Sequence, residues 1–184
     1  MSLQSFARGI FVLLLLPFLG SCGPAPTPLT SRFTEAPTGL LFKRTTLLVA
    51  DLDRSLGLYR DVLGFTVDGI SESSPDSYSY PVFRLPPTAR LRFATLNSPS
   101  QQRTLGLTEV RGTELPGPGQ GPISSAAVIR VDDLAATVHR AAALGLTTTE
   151  PRTVANANAR FTEQALVDFD GHLIVLYELR RPAE

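Results

Sequence analysis

The amino-acid sequence predicts an α+β domain built from two βαβββ units. This prediction rests on a repeat, on two capped amphipathic helices and on the strand-like runs that follow each helix. Two stretches carry the repeat: RTTLLVADLDRSLGLYRDVLGFTV (Arg44–Val67) and AAVIRVDDLAATVHRAAALGLTTT (Ala126–Thr149). Each stretch has the pattern of a strand, a helix and a second strand.

The two stretches match at a constant spacing of 82 positions as far as the middle of each helix. The matched pairs are Val49 with Val131, Asp51 with Asp133, Leu52 with Leu134, and Ser55 with Thr137. Beyond the helices, Gly64 matches Gly145 at a spacing of 81, so the second helix is one residue shorter. A duplicated supersecondary unit explains this agreement best.

The predicted helices have clear start and stop signals. Asp51 and Asp133 are N-cap candidates, because an aspartate carboxylate can accept the free backbone N–H groups of the first turn. Gly64 and Gly145 stand where a left-handed residue commonly ends a helix. Apolar residues recur at helical spacing between these signals, which predicts one buried face per helix. They are Leu52, Leu56, Tyr59 and Leu63 in the first copy and Leu134, Val138, Ala141 and Leu144 in the second.

Three strand-like runs follow each helix. In the first copy they are Phe65–Ile70, Tyr78–Leu85 and Leu91–Leu96; in the second they are Leu146–Glu150, Arg160–Phe169 and Leu173–Leu179. The stretch 97–122 between the copies is rich in turn formers and predicts a long connector. The predicted domain therefore spans residues 40–184, with modules at 42–97 and 123–180.

The N-terminal residues predict a lipoprotein signal peptide at 1–21. Its apolar run GIFVLLLLPFL is too short to cross a bilayer core, which needs about 20 residues. The tetrad Leu19–Cys22 (LGSC) resembles a bacterial lipobox, and a lone exported cysteine has no disulfide partner. We therefore expect lipid on Cys22, which would anchor the protein to a membrane. Residues 22–39 are rich in proline and predict a semi-rigid tether.

The expected location is the bacterial cell envelope, at the outer membrane and facing the periplasm. Gly23 follows the cysteine, whereas an aspartate at that position retains many bacterial lipoproteins at the inner membrane. The chain has 17 basic and 17 acidic residues, so its charge balance gives no indication of nucleic-acid binding.

VADLDRSLGLYRDVLGF (Val49–Phe65) and DFDGHLIVLYEL (Asp168–Leu179) resemble the vicinal oxygen chelate superfamily. This superfamily contains glyoxalases, bleomycin-resistance proteins, extradiol dioxygenases and methylmalonyl-CoA epimerases. The resemblance covers about residues 42 to 179. It implies two βαβββ modules whose curved mixed sheets enclose a cavity, with the helices on the convex faces.

Members of this family usually bind a divalent metal through the first and last strands of each module. Side chains two apart on a strand share a face, so Arg44 and Thr46 are expected in the cavity. The resemblance places the four ligand positions at Arg44, Arg92, Ala126 and Val175. None of these side chains offers an oxygen, imidazole or thiolate ligand. The two histidines, His139 and His172, do not form a spaced metal set. The sequence therefore predicts no metal and no cofactor, and it assigns no catalytic residue.

Strand alternation predicts a cavity that combines several charged and polar side chains with small apolar ones. The candidate ligand-binding residues are Arg44, Thr46, Arg92, Arg130, Glu163, Val175 and Tyr177. Two interpretations remain open. The arginines belong to a structural ion network with Glu163 and Tyr177, or the surplus positive charge forms a site for a carboxylate or phosphate.

Three functions therefore remain open. The favoured one is a lipid-anchored domain that binds a small, possibly anionic molecule without metal-dependent catalysis. The second is an enzyme of the glyoxalase, dioxygenase or epimerase type that uses a displaced metal or acid–base groups. The third is an interaction module that pairs with another envelope protein or with a second copy as a homodimer. Fold resemblance alone does not decide among these functions.

Overall fold

The structure is a computed structural model that describes residues 40–117 and 121–181, so the predicted signal peptide, Cys22 and the whole predicted tether lie outside the described residues. Module 1 contains β1 (Thr45–Val49), α1 (Leu52–Leu56) with a π-helical continuation (Gly57–Val62), β2 (Thr66–Glu72), α2 (Ser79–Phe83), β3 (Arg90–Ser98) and β4 (Gln101–Arg111). Module 2 contains β5 (Ala126–Arg130), α3 (Leu134–Ala143), β6 (Arg152–Ala155), β7 (Arg160–Val167) and β8 (Leu173–Arg180).

Each module forms one four-stranded mixed sheet. The strand orders are β1-β4-β3-β2 and β5-β8-β7-β6, and in each sheet the first strand pairs in parallel with the last. Helices α1 and α3 pack on one face of their sheets, where one apolar cluster contains Tyr59, Leu107, Leu134 and Ile174. The predicted α+β fold with two repeated modules is confirmed.

Two predicted elements of module 1 were wrong. The stretch Tyr78–Leu85 forms the short helix α2 and not a strand, although its aromatic and branched residues favour a strand. Pro81 lies in the first turn of α2, where proline is tolerated, and Tyr80 packs beside the apolar cluster of Leu91 and Val110. Arg84 then ends the helix with a φ of 54°.

The predicted connector contains strand β4, so module 1 extends to Arg111 and does not end at residue 97. The polar start of β4 (QQRT) concealed it. Its second half, Leu107–Arg111 (LTEVR), repeats the end of β8, Leu176–Arg180 (LYELR), and this match was the missed signal. In module 2, the predicted strand Leu146–Glu150 was misplaced. The strand β6 lies just after this stretch, in which only Thr148 makes an isolated bridge.

Asp51 and Asp133 cap their helices as predicted, and one buried glutamate in each module accepts a further N–H at the helix start. Asp51 accepts the N–H of Arg54 at 3.0 Å, and Asp133 accepts the N–H of Ala136 at 2.8 Å. The buried carboxylate of Glu109 on β4 accepts the N–H of Leu52 at 3.0 Å. Glu178 on β8 accepts the N–H of Leu134 at the same distance. The last strand of each module thereby fixes the start of its helix.

The π-helical segment explains the change of repeat spacing from 82 to 81. The N–H of Leu63 bonds the carbonyl of Leu58 at 2.9 Å, which is an i→i−5 bond and accommodates one extra residue. Gly64 and Gly145 both follow their helices with positive φ, at 84° and 83°, as predicted.

A turn of module 2 closes one contact between the modules. We call this contact, made by residues Asp168–His172 against the end of β1, the filled junction. The Tyr59 hydroxyl donates to Asp168 Oδ2 at 2.7 Å, and the N–H of Ala50 donates to Asp170 Oδ1 at 2.9 Å. His172 Nε2 donates to the carbonyl of Leu48 at 2.8 Å. Burial, and then the charge of Asp168, raise the pKa of Tyr59, so its hydroxyl stays a donor.

We expect Tyr59→Phe to lower the free energy of unfolding by about 2 kcal/mol, because it leaves a buried carboxylate oxygen of Asp168 without its donor. Urea denaturation measures this change. Tyr177→Phe is the matched control, since the half-buried Tyr177 hydroxyl lies on the opposite face of its sheet. Equal losses in both variants would contradict the role assigned to the filled junction.

Candidate functional site

The face of each sheet that lies opposite α1 and α3 carries most of the predicted site; we call it the open face. In module 1, alternation along the strands places Arg44, Thr46 and Leu48 on it, together with Phe93. The apolar cluster of Ala89, Leu91 and Val110, with Leu48 and Tyr80 packed against it, covers one end of this face. The end near Arg44 stays open to solvent.

Arg44 is the central cation of this open end. Its guanidinium carbon lies 5.4 Å from the centre of the Phe93 ring, a cation–π contact that orients the side chain. Among the described residues, no carboxylate lies within 4.0 Å of it. The half-buried Arg44 therefore keeps most of its hydrogen-bond donors for another partner.

A pocket of about 410 Å³ surrounds this guanidinium and is lined by module 1 alone. Besides Arg44 and Phe93, its wall includes Lys43, Thr95, Asp68 and Arg103. Arg103 pairs with Asp68 at 2.6 Å, and this hydrogen bond holds the pKa of Asp68 below its usual value. Asp68 is therefore ionised at neutral pH and offsets one of three cations. The pocket keeps an excess of two positive charges.

The predicted position of Arg92 in the cavity was wrong. Its side chain lies on the helix-bearing face, where it pairs with Glu109 at 3.0 Å and with Asp53 at 2.9 Å. Hydrogen bonds to these two carboxylates raise the pKa of Arg92. The error follows from the missed strand, because β3 was taken as the last strand of the module. Arg92 belongs to the anchor of α1 and not to the open face.

Gly106 on β4 occupies the position that was assigned to Arg92. In the repeat, the pairing of Thr46 with Gly106 corresponds to that of Val128 with Val175. A Cβ atom at Gly106 would meet Phe93 Cε2 at 2.9 Å and Thr46 Oγ1 at 3.0 Å. Glycine is therefore required for the Phe93 ring to lie over the strand, and that ring in turn supports Arg44.

Module 2 brings together the remaining predicted residues. Arg130 pairs with Tyr177 across β5 and β8, and Tyr177 pairs with Glu163 on β7. These side chains and Val175 share the open face, as alternation predicts, and the rings of Tyr177 and Phe161 lie 5.2 Å apart. Within the described residues, neither Arg130 nor Glu163 has an oppositely charged partner within 4.0 Å. Whether these residues bind a ligand stays a prediction.

The family model of the glyoxalase/bleomycin resistance protein/dioxygenase superfamily matches residues 41–176. The chain belongs to this superfamily. The matched range spans both modules, including β4 and the first half of β8. No curated protein matches the chain at a significant level.

Solved structures of low sequence identity share the fold. A glyoxalase family protein from Bacillus cereus has a TM-score of 0.61 at 15% identity, with 79% of this chain and 97% of that chain covered. The trypanothione-dependent glyoxalase I of Leishmania major has a TM-score of 0.52 at 20% identity, covering 76% and 87%. At these identities the likeness concerns the fold alone. No helix within 40–117 and 121–181 is long and apolar enough to cross a membrane.

The residues at the family's metal positions do not fit a metal ion. With β4 assigned, these positions are Arg44, Gly106, Ala126 and Val175, and none offers a carboxylate, imidazole or thiolate. In the described part of the chain, no group of three or more His, Cys, Asp or Glu side chains could hold a metal ion. A cation beside Arg44 would also be repelled by the excess positive charge of the pocket.

We expect divalent metals to leave the melting temperature unchanged, because only a ligand that binds the folded state raises it. Differential scanning fluorimetry with Mn²⁺, Zn²⁺, Ni²⁺ and Mg²⁺, before and after EDTA, measures this. One metal that stabilises the protein in a saturable way, and whose effect EDTA reverses, would contradict the prediction.

Proposed function

We propose that this domain binds a small molecule with a carboxylate or phosphate group in the Arg44 pocket, without metal-dependent catalysis. One observation carries the proposal: Arg44 stands at the first metal-ligand position of the family, lines an open pocket and has no carboxylate partner among the described residues. A guanidinium presents paired N–H donors in a plane, which matches the two oxygens of a carboxylate or phosphate.

The charge distribution around Arg44 supports an anionic ligand. Lys43 and Arg103 line the same pocket, while Asp68 is already paired with Arg103. An anion placed beside Arg44 would thus meet two uncompensated cations. Charge-assisted hydrogen bonds contribute about 1.5–3 kcal/mol each where water is partly excluded. The Thr95 hydroxyl in the wall donates to Asp68 Oδ2 at 3.4 Å and so helps to hold this carboxylate beside Arg103.

The packing below Arg44 supports a preorganised site. Phe93 holds the guanidinium from one side, and Gly106 and Thr46 hold the ring in place. A side chain that is already oriented loses less conformational entropy when a ligand binds. The pocket volume of about 410 Å³ lies at the lower end of the usual range for small-molecule sites. This size favours a small metabolite over a nucleotide or a cofactor.

We expect inorganic phosphate or citrate to raise the melting temperature of the wild type, and Arg44→Ala to weaken the binding of either anion by about tenfold or more. Isothermal titration calorimetry measures the affinity. Arg130→Ala is the matched control, because Arg130 is also a strand arginine without an ion pair among the described residues but lies outside this pocket. If neither anion binds, or if both variants lose affinity equally, the proposal fails.

We further propose that lipid on Cys22 holds the domain at the outer membrane, facing the periplasm. The LGSC tetrad and the proline-rich residues 22–39 support this location. Cys22→Ser should move the protein from the membrane fraction to the soluble periplasmic fraction, or leave it with an uncleaved signal peptide. Fractionation followed by mass spectrometry of the N-terminus measures the result. Normal processing of a variant that stays membrane-bound would refute lipidation.

A further inference from the structure

The polar start of β4 contributes two side chains to the surroundings of Arg44. Gln101 donates from Nε2 to the carbonyls of Phe42 and Lys43, at 3.3 and 2.8 Å, and so fixes the backbone directly before Arg44. Arg103, two residues further along β4, lines the same pocket of about 410 Å³ as Arg44. The residues that interrupt the hydrophobic pattern of β4 therefore lie beside the proposed anion site.

Arg103 has an unusual backbone conformation. Its φ is 54°, in the left-handed region that is costly for a residue other than glycine. The pairing is also irregular here, because residues 102–104 of β4 lie opposite the single residue Asn97 of β3. Asn97 Oδ1 accepts the N–H of Arg103 at 2.7 Å and holds this bulge in place. A bulge redirects a side chain, and the redirected side chain here is a cation that reaches the pocket.

A second bulge brings Asp68 to the same part of the pocket. The pairing of β2 with β3 shifts between Val67 and Gly69, so Asp68 is the extra residue. Its carboxylate accepts Nε of Arg103 at 2.6 Å and the hydroxyl of Thr95 at 3.4 Å. In the part of the chain that the structure describes, Nε is the atom of this guanidinium that is hydrogen-bonded. Asp68 therefore orients Arg103 through one N–H and leaves both Nη groups for another partner.

We propose that Arg103 is the second binding residue of the Arg44 pocket and that the ligand is an organic phosphate monoester in its dianionic form. This inference rests on the proposed function, which places an anion beside Arg44. A carboxylate has two oxygens, and one guanidinium fork satisfies both. A phosphate monoester has three terminal oxygens and carries about 1.5–2 negative charges at pH 7. It therefore matches two guanidiniums and the excess of two positive charges in the pocket.

The pocket wall also offers apolar surface for the organic part of such an ester. Phe93 and Ile70 line the pocket, and the Ile70 side chain is exposed. Gly69, beside Asp68, leaves the wall open, since a Cβ atom there would meet nothing within 4 Å. Inorganic phosphate would leave this apolar surface exposed to water, whereas an ester covers part of it.

The probes are methyl phosphate and dimethyl phosphate, titrated into the full chain at pH 8 in isothermal titration calorimetry. Both are small phosphate esters, but the dimethyl ester has two terminal oxygens and a single negative charge. We expect methyl phosphate to bind at least tenfold more tightly. Equal affinities for the two esters, or tighter binding of succinate than of methyl phosphate, would overturn the inference.

The double variant Asp68→Asn/Arg103→Asn tests whether Arg103 contacts the ligand. It removes one positive and one negative charge, so the net charge of the pocket is unchanged. Asparagine also tolerates the left-handed backbone at position 103. We expect at least tenfold weaker binding of methyl phosphate than in the wild type. Wild-type affinity in this variant would show that Arg103 merely neutralises Asp68, and the inference would then be wrong.

Asp68→Asn alone is the matched control. It keeps both guanidiniums and an oxygen that accepts Nε of Arg103, so methyl phosphate should bind at least as tightly as in the wild type. A loss equal to that of the double variant would assign the effect to the bulge and contradict the role of Arg103. Arg44→Ala separates the two proposals. If the wild type binds both esters equally and loses both in Arg44→Ala, this inference alone fails; if it binds neither ester, the proposed function fails as well.

Discussion

The buried glutamate on the last strand of each module is the constraint on which the rest of the structure depends. Glu109 and Glu178 are 2% and 8% exposed, and each accepts the first N–H of the helix in its module. A buried carboxylate must be paired, because its desolvation is costly. Glu109 therefore takes both Arg92 and Arg111, and this demand turns Arg92 towards the helix. Arg44 lies on the other face and has no carboxylate within 4.0 Å in the part of the chain that the structure describes.

The two modules have the same strand pairing and helix caps, but the side chains around them differ. Thr162 stands across from Glu178 where Arg92 stands across from Glu109, and Ala135 takes the place of Asp53. Tyr59, whose hydroxyl donates to Asp168, likewise corresponds to Ala141, which has no donor. Strand pairing, helix caps and the helix-ending glycines were thus retained after the duplication, whereas the side chains around them changed. Such positions are the ones where the modules can differ in function without loss of the fold.

The sequence was sufficient for the parts of the fold that have local physical causes. Asp51 and Asp133 cap helices through their own first turns, and Gly64 and Gly145 adopt a backbone conformation that few other residues tolerate. The open face of module 2 followed from strand alternation. By contrast, β4 begins with four polar residues and is held by its neighbours on both sides, so no local signal marked its start. Because β4 was missed, β3 was taken as the last strand of the module, and Arg92 was assigned to the wrong face of the sheet.

The corrected register replaces Arg92 by Gly106, which leaves Arg44 as the one charged side chain at the four metal positions of the family. A divalent ion there would present positive charge to an oxygen of the ligand, and it would need acidic or imidazole ligands to stay bound. Arg44 presents positive charge from a covalent part of the chain, and it needs only a support for its orientation. Phe93 gives that support, and Gly106 makes room for Phe93. In the proposed site, Arg44, Phe93 and Gly106 therefore act together: they provide a fixed cation at a position where members of the family hold an exchangeable one.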